Sequence, residues 1–167
     1  VSDFVVQFRR ASETTWTTGA DGVSPAPSAT VKGLVGGANY VFRVIARNEA
    51  GEGPPSASVV ATIPTPPSAP RALLSSGGLA RVTLNWSPPA AAGSSAVSDY
   101  VIQFRRASES AWSTFSDDVL PQTSAVVTGL AGSANYVFRV IARSAAGDGV
   151  PSATASATTL AAPSPPQ

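Results

Sequence analysis

The chain of 167 residues contains no cysteine and no histidine, and its only lysine is Lys32. Without cysteine there is no disulfide, no thiolate nucleophile and no sulfur ligand for zinc, and without histidine the commonest general base and metal ligand is missing. The carboxylates are spread over predicted loops, so no pair of acids is placed for general acid–base work. The composition therefore predicts no enzymatic activity, no metal site and no cofactor in this chain.

The chain also has little charge, because charged residues make up 13% of it and the formal net charge is +1. Nucleic acid and anionic membrane surfaces are bound by a concentrated basic excess, so neither partner is expected. No apolar run is long enough to cross a bilayer, and a hydrophobic content of 43% is too high for a disordered chain. Abundant Ser, Thr, Pro and Gly beside a single lysine favour an exported bacterial protein, located outside the cell or on its surface.

The sequence repeats itself at a spacing of 96 residues, since Val1–Arg10 (VSDFVVQFRR) returns as Val97–Arg106 (VSDYVIQFRR). The register continues through Trp16 and Trp112, and through the runs that begin at Asn39 and Asn135. Repetition of this kind indicates tandem copies of one module. Residues 64–96 have no counterpart in the first copy.

Apolar and polar residues alternate in several short runs bounded by Gly, Pro, Ser or Asp, which is the pattern of half-buried antiparallel strands. About seven such strands in the second copy predict an all-β sandwich of two sheets. Shorter strands are expected near residues 124–130 and 153–159. The predicted inward positions are Val82, Leu84, Trp86, Tyr100, Ile102, Phe104, Tyr136, Phe138, Val140 and Ala142.

The unit from Pro64 to Leu160 resembles a fibronectin type III domain. The resemblance rests on a proline-rich start at residues 67–70, on Leu84–Pro89 (LNWSPP), and on Leu130 followed six residues later by Tyr136–Arg143 (YVFRVIAR). It implies two immunoglobulin-like β-sandwich modules in tandem. Each corner tyrosine is expected to bond through its hydroxyl to the backbone near the preceding leucine. The expected structural core includes Trp86, Leu130, Tyr136, Leu34 and Tyr40.

Three segments are predicted: a partial module over residues 1–63 with strands C to G, a complete module over 64–160, and a proline-rich linker or the start of a next module over 161–167. The first copy is expected to lack its first two strands, which in the whole protein would precede Val1. Its inward positions would then have no opposite sheet. We expect an exposed apolar surface, and residues 1–63 are predicted to be unstable alone.

A candidate binding face is formed by arginine and tryptophan. Alternation points Arg105, Arg139 and Arg143 outward on one sheet, with Trp112 predicted on a short neighbouring strand. Guanidinium groups stacked on indoles can bind a sugar or an acidic partner, but the same side chains can also simply cover each other on a solvated sheet. Both interpretations stay open for the whole set: Arg9, Trp16, Arg43, Arg47, Arg105, Trp112, Arg139 and Arg143.

Two functions from different classes follow from these patterns. In the first, the modules are non-catalytic spacers of a larger secreted or surface-attached protein, whose partners are the other domains of the same polypeptide. In the second, the arginine and tryptophan face binds polysaccharide or a cell-surface protein. Integrin adhesion is not expected, because the chain has no Arg-Gly-Asp tripeptide. Calcium binding at Asp117 and Asp118 is not expected either, since the alternating oxygen ligands of a calcium loop are absent.

Overall fold

A computed structural model describes residues 1–20 and 22–161. All but the first residue of the predicted segment 161–167 therefore lies outside the described residues. The chain divides into two compact units, the first over Val1–Pro64 and the second beginning at Thr65. In the described part of the chain every regular element is a β-strand, which confirms the predicted all-β class. No helix within it is long and apolar enough to span a membrane.

The first unit contains one antiparallel sheet of five strands. Strand β1 lies between β2 and β3, and both β4 and β5 pair with the other edge of β3. The strands are β1 (Asp3–Arg10), β2 (Thr17–Thr18), β3 (Asn39–Asn48), β4 (Gly51–Pro55) and β5 (Val59–Thr62).

The second unit contains two sheets. A five-stranded sheet repeats the first unit, with β8 between β9 and β11 and with β12 and β13 paired to β11, while β7 lies between β6 and β10 in a three-stranded sheet. The strands are β6 (Arg71–Gly78), β7 (Arg81–Ser87), β8 (Val97–Arg106), β9 (Ser113–Thr114), β10 (Ser124–Thr128), β11 (Asn135–Ser144), β12 (Gly147–Asp148) and β13 (Ala155–Thr158).

The core of the second unit lies between these two sheets. Alternation places one apolar face of β7 toward one face of β8 and β11, as in an aligned sandwich. The Trp86 and Tyr100 rings meet edge to face with centroids 5.3 Å apart. Phe104 is partly buried against this core, whose buried members are Val82, Leu84, Trp86, Tyr100, Ile102, Val127, Leu130, Tyr136, Phe138, Val140 and Ala142.

The corresponding face of the first unit is much less buried. Val140 is fully buried, whereas Val44, at the same register position, is 38% exposed. Leu34 is only half-buried, while its counterpart Leu130 is buried and donates its N–H to the carbonyl of Ala80 in the β6–β7 turn. The expected core role of Leu34 is therefore weak, because the described part of the first unit has no equivalent of that turn.

The first unit also departs from the expected strands C to G. Residues 28–32, which are the counterparts of β10, form no strand. In the second unit β10 pairs with β7 over its whole length. A strand needs a neighbour to satisfy its backbone hydrogen bonds, and the described residues of the first unit supply no equivalent of β7. The sequence pattern of residues 28–32 alone therefore does not make a strand.

Both corner tyrosines take the predicted arrangement. The Tyr136 hydroxyl accepts a hydrogen bond from the backbone N–H of Ala131 at 3.1 Å, and the Tyr40 hydroxyl accepts one from Val35 at 3.3 Å. Both tyrosines are buried. This corner forms in both units because its donor and acceptor lie only five residues apart.

Candidate binding face

Each unit has one five-stranded sheet, and the arginines and tryptophans of the predicted face lie on its outer side, which is the side away from the inward apolar residues. Strand register builds this face from directly paired residues of neighbouring strands. In the second unit the pairs are Asp99 with Arg143, Val101 with Ile141, Gln103 with Arg139, and Arg105 with Val137. In the first unit they are Asp3 with Arg47, Val5 with Ile45, Gln7 with Arg43, and Arg9 with Val41.

Trp112 is contacted by two guanidinium groups in the second unit. The Arg139 Cζ lies 4.2 Å from the indole centroid, and the Arg105 Cζ lies 5.0 Å from it. Such contacts contribute about 0.5–1 kcal/mol each at exposed positions. The long side chains also cover the apolar residues between them, so that Ile141 is buried although it points away from the core.

The first unit repeats this stack around Trp16. The Arg43 Cζ lies 4.0 Å from the indole centroid, and the Arg9 Cζ lies 5.0 Å from it. Beneath the stack Val5 and Ile45 are buried. The outer face is thus equally formed in both units, in contrast to the inner face.

Hydrogen bonds hold the guanidinium groups of the stacks in place. Arg139 Nε donates to Gln103 Oε1 at 2.8 Å, and Arg43 Nε donates to Gln7 Oε1 at the same distance. Arg105 donates to the backbone carbonyl of Glu109. Gln7 and Gln103 were missed as members of the face, although their repeated position opposite an arginine is visible in the two copies.

Arg143 belongs to a separate ion-pair cluster rather than to the stack. Its Nε and Nη2 donate to the two carboxylate oxygens of Asp148, at 2.6 and 3.1 Å, and its Nη1 lies 3.7 Å from Asp99 Oδ2. The hydrogen bonds that Arg143 donates to Asp148 lower the pKa of the Asp148 carboxyl and raise the pKa of the Arg143 guanidinium. The predicted face is therefore divided into a stack and an ion pair.

Arg47 forms the same cluster in the first unit. Its Nη2 lies 2.5 Å from Glu52 Oε1, and its Nη1 lies 3.8 Å from Asp3 Oδ2. The hydrogen bond with Glu52 raises the pKa of the Arg47 guanidinium. Asp3 is itself buried and accepts the backbone N–H of Ser24, an anchoring role that the sequence analysis missed.

The two tryptophans lie beside short strands rather than within them. Trp112 directly precedes β9 and Trp16 directly precedes β2, so the prediction that Trp112 is a strand residue is wrong by one position. Each short strand pairs with the central strand that carries the outer arginine, through Gln103 with Thr114 and Gln7 with Thr18. This pairing positions each indole over the guanidinium groups.

A small cavity of about 200 Å³ lies at one end of the core in the second unit. Its lining includes Trp86, Tyr100, Asp117 and Asp118. Burial, and secondarily the charge of Asp99, raises the pKa of Asp117. Across residues 1–20 and 22–161 no group of three or more Asp, Glu, His or Cys side chains is arranged to hold a metal ion. The cavity therefore offers no group of side chains that could bind a metal ion.

The sequence profile described as "Fibronectin type III domain" matches residues 1–62 and 66–158. The chain belongs to the fibronectin type III family. It is 29% identical to Titin of Drosophila melanogaster over 93% of the chain and 1% of that protein. It is 33% identical to Protein sidekick-1 of Mus musculus over 81% of the chain, and 35% identical to Protein turtle of Drosophila melanogaster over 58% of it, in each case over 6% of the relative.

Solved fibronectin type III structures share the fold. The structure of the chicken CNTN1 FN1–FN3 domains aligns with 94% of this chain and 56% of that one, at a TM-score of 0.58 and 20% identity. The structure titled "Titin kinase and its flanking domains" aligns with 56% of this chain and 17% of that one, at a TM-score of 0.52 and 28% identity. These similarities confirm the fibronectin type III fold.

The comparisons do not bear out the expected bacterial type of the modules. The sequence relatives named above come from fly and mouse. This chain spans only a few per cent of the length of each of them. It is therefore similar to a short portion of much longer proteins.

Proposed function

We propose that this chain is a non-catalytic spacer within a larger, extracellular multidomain protein, and that its partners are the other domains of that polypeptide. The chain belongs to the fibronectin type III family, and it matches only a small part of the length of each relative. Both facts support a role as part of a longer array of domains. The absence of histidine and cysteine supports a non-catalytic role. A composition rich in Ser, Thr, Pro and Gly supports an extracellular location.

The observation that carries this proposal is the anchoring of the connection between the units. The N–H and carbonyl of Ile63 bond to Ala38 and Gly37, at 3.0 and 2.7 Å, and so belong to the first unit. The N–H and carbonyl of Thr65 bond to the side chain and backbone of Ser94, at 2.8 and 2.9 Å, and so belong to the second. Only Pro64 lies between these anchors.

A connection reduced to one proline has little freedom to bend. The pyrrolidine ring fixes φ near about −65°, so the main rotation left between the two anchored neighbours is the ψ angle of Pro64. Short proline-rich connections act as semi-rigid spacers, whereas Gly/Ser connections behave as flexible coils. A stiff connection between folded units is what a spacer requires, because it holds whatever lies at its two ends apart.

We expect a narrow distribution of distances between the two units. The chain has no cysteine, so spin labels can be placed uniquely at Ser12→Cys and Ser108→Cys, which are exposed and equivalent in the repeat. Double electron–electron resonance should give a single narrow distance peak. Inserting Gly-Ser-Gly-Ser after Pro64 should broaden that peak several-fold, to about the spread of a flexible linker. A peak that is already broad without the insertion would contradict the spacer proposal.

The outer face favours the spacer over a binding module because its polar side chains are already bonded to one another. Arg139 is bonded to Gln103 and stacked on Trp112, and Arg143 is paired with Asp148. A ligand would have to replace these internal contacts, and each replacement cancels part of the affinity that it provides. The packing of arginine and tryptophan side chains against each other is sufficient to explain why these residues occur on the outer face.

The alternative function is binding of polysaccharide or a protein through this outer face. It is favoured by one observation, that the same arginine–tryptophan–arginine stack recurs on both units and stays partly exposed. A glycan array probed with the full chain separates the two functions. If binding is found, and if Trp16→Ala and Trp112→Ala together remove it while the far-ultraviolet circular dichroism is unchanged, the binding function replaces the spacer.

A further inference from the structure

The small cavity at one end of the core of the second unit, with a volume of about 200 Å³, has an aromatic floor. Trp86 and Tyr100 are buried residues of its lining, and their rings meet edge to face. Phe115, which is half-buried, adds a third ring to the lining. The faces of aromatic rings attract cations, including the ammonium groups of ligands. The floor therefore suits an organic cation better than an anion.

The mouth of the cavity carries two carboxylates. Asp117 and Asp118 both line the cavity and are exposed, so they lie where it opens to solvent. None of the described lining residues is a lysine or an arginine. Partial burial, and then the negative charges of Asp99 and Asp118, raise the pKa of Asp117. A cation bound beside Asp117 would relieve this repulsion between carboxylates.

The Tyr100 hydroxyl is a polar group without a partner in the described chain. Tyr100 is only 4% exposed, and its hydroxyl makes no hydrogen bond to any described residue. The one fully enclosed side-chain polar atom without a partner among those residues is Trp86 Nε1, so the Tyr100 hydroxyl is not enclosed by protein atoms. Because Tyr100 lines the cavity, its hydroxyl opens into it. The hydroxyl of a buried tyrosine usually has a hydrogen-bond partner, so this one indicates a place for the polar group of a ligand.

The repeat shows that this combination of side chains belongs to the second copy alone. The residues 96 positions earlier in the chain are Phe4 for Tyr100, Gly19 for Phe115 and Gly22 for Asp118. The two copies agree at the arginines and tryptophans of the outer face but differ at all three of these cavity positions. The chemistry of the cavity is therefore not a general property of the module.

We propose that this cavity binds a short primary alkylammonium ion. The ammonium group would lie at the mouth, beside the Asp117 carboxylate and the Tyr100 hydroxyl, and the alkyl chain would lie against the aromatic floor. A primary ammonium is favoured over a quaternary one because its three N–H groups can donate to these oxygen atoms. A metal ion is disfavoured, since the described residues hold no group of three or more ligating side chains.

The test titrates the full, isotope-labelled chain with n-butylammonium chloride at constant ionic strength. Butanol, which has the same chain length and no charge, is titrated in parallel. Amide resonances of residues 115–126 should shift and saturate with the amine. The affinity for butanol should be weaker by about tenfold or more, because it cannot form a charge-assisted hydrogen bond to the carboxylates.

Three variants locate the site. Asp117→Asn should weaken binding of the amine by about tenfold, and Tyr100→Phe should weaken it by about threefold or more. Tyr100→Phe keeps the ring that packs on Trp86, so the fold is retained. The control is Glu109→Gln, which removes the same charge from an exposed residue between β8 and β9 that does not line the cavity. Binding to this control should equal binding to the unchanged chain.

A third ligand distinguishes a free amine from the side chain of a protein. Lysine capped at both ends carries the same alkylammonium group on a peptide backbone. If it binds as tightly as n-butylammonium, a lysine of a partner protein can occupy the cavity, whereas binding of n-butylammonium alone identifies a free amine. The proposal is overturned if the amine binds no more tightly than butanol, or if neither Asp117→Asn nor Tyr100→Phe lowers its affinity.

Discussion

Replacing Phe138 by alanine is expected to lower the free energy of unfolding of the second unit by about 3–5 kcal/mol, the usual cost of deleting a buried phenylalanine ring. Phe138 is fully buried between the two sheets. Its ring lies 6.4 Å from that of Phe104 and 6.3 Å from that of Tyr136, measured between centroids. Deletion would leave a cavity that surrounding strands, tied by their hydrogen bonds, cannot close fully.

The matched control is Phe42→Ala in the first unit. Phe42 keeps the same aromatic neighbours, with centroids 6.3 Å from Phe8 and 6.2 Å from Tyr40, but it is only half-buried. Because solvent already reaches this side chain, the cost should be less than half of that for Phe138, about 2 kcal/mol or below. Urea titrations of the full chain, followed by amide resonances of each unit, give both values. Equal costs would contradict the difference in packing.

Replacing Gly149 by alanine is expected to destabilise the second unit by about 1–3 kcal/mol through overpacking. A Cβ at this position would lie far inside van der Waals contact of the Pro67 carbonyl oxygen and 3.2 Å from that of Ala142. Both obstacles are backbone atoms, and Gly149 also donates its N–H to the Ala142 carbonyl at 2.8 Å. Relief would therefore require moving the chain that leads into β6.

Gly53→Ala is the control, because Gly53 holds the same position in the first copy. A Cβ there would meet only the carbonyl oxygen of Ala46, at 3.4 Å, since nothing equivalent to Pro67 lies nearby in the described part of the first unit. We expect a change within about 0.5 kcal/mol. Thermal unfolding of the two single variants, monitored by amide resonances of each unit, measures the contrast. If Gly53→Ala lowered the stability as much as Gly149→Ala, the steric explanation based on Pro67 would be contradicted.

The sequence was sufficient to predict the long central strands and the sandwich. The alternation in β8 and β11 places Tyr100, Ile102, Phe138 and Val140 on one face, and the structure has them there. Alternation is informative in these strands because one face is apolar throughout. The tyrosine corner was predictable because it depends on a contact between residues close in sequence.

Other elements carried too weak a local signal. Strand β6 reads RALLSSGG, which has no clear alternation, and it forms because β7 pairs with it. Residues 28–32 show the reverse, since a segment equivalent to β10 forms no strand where its neighbour is missing. In both cases the deciding factor is a partner strand distant in sequence.

The sequence predicted which arginines and tryptophans lie on the outer face, but it did not predict which of them contact each other. Arg139 and Arg143 lie on the same side of the sheet, as alternation indicates, yet one stacks on Trp112 and the other pairs with Asp148. Which partner each arginine takes depends on short loops and on two-residue strands. Periodicity cannot resolve these details, and the same limit applies to the glutamines beneath the stacks.

Hydrogen exchange at two equivalent amides tests most directly the claim that an opposite sheet covers the inner face of the second unit, while the inner face of the first unit is open. The Val44 N–H donates to the Ser56 hydroxyl, and the Val140 N–H donates to the Ser152 hydroxyl, each at 3.0 Å. The two amides thus have the same bond and differ in what covers them. We predict that Val140 exchanges about a hundredfold or more slowly than Val44 in the full chain. Equal exchange rates would contradict the account.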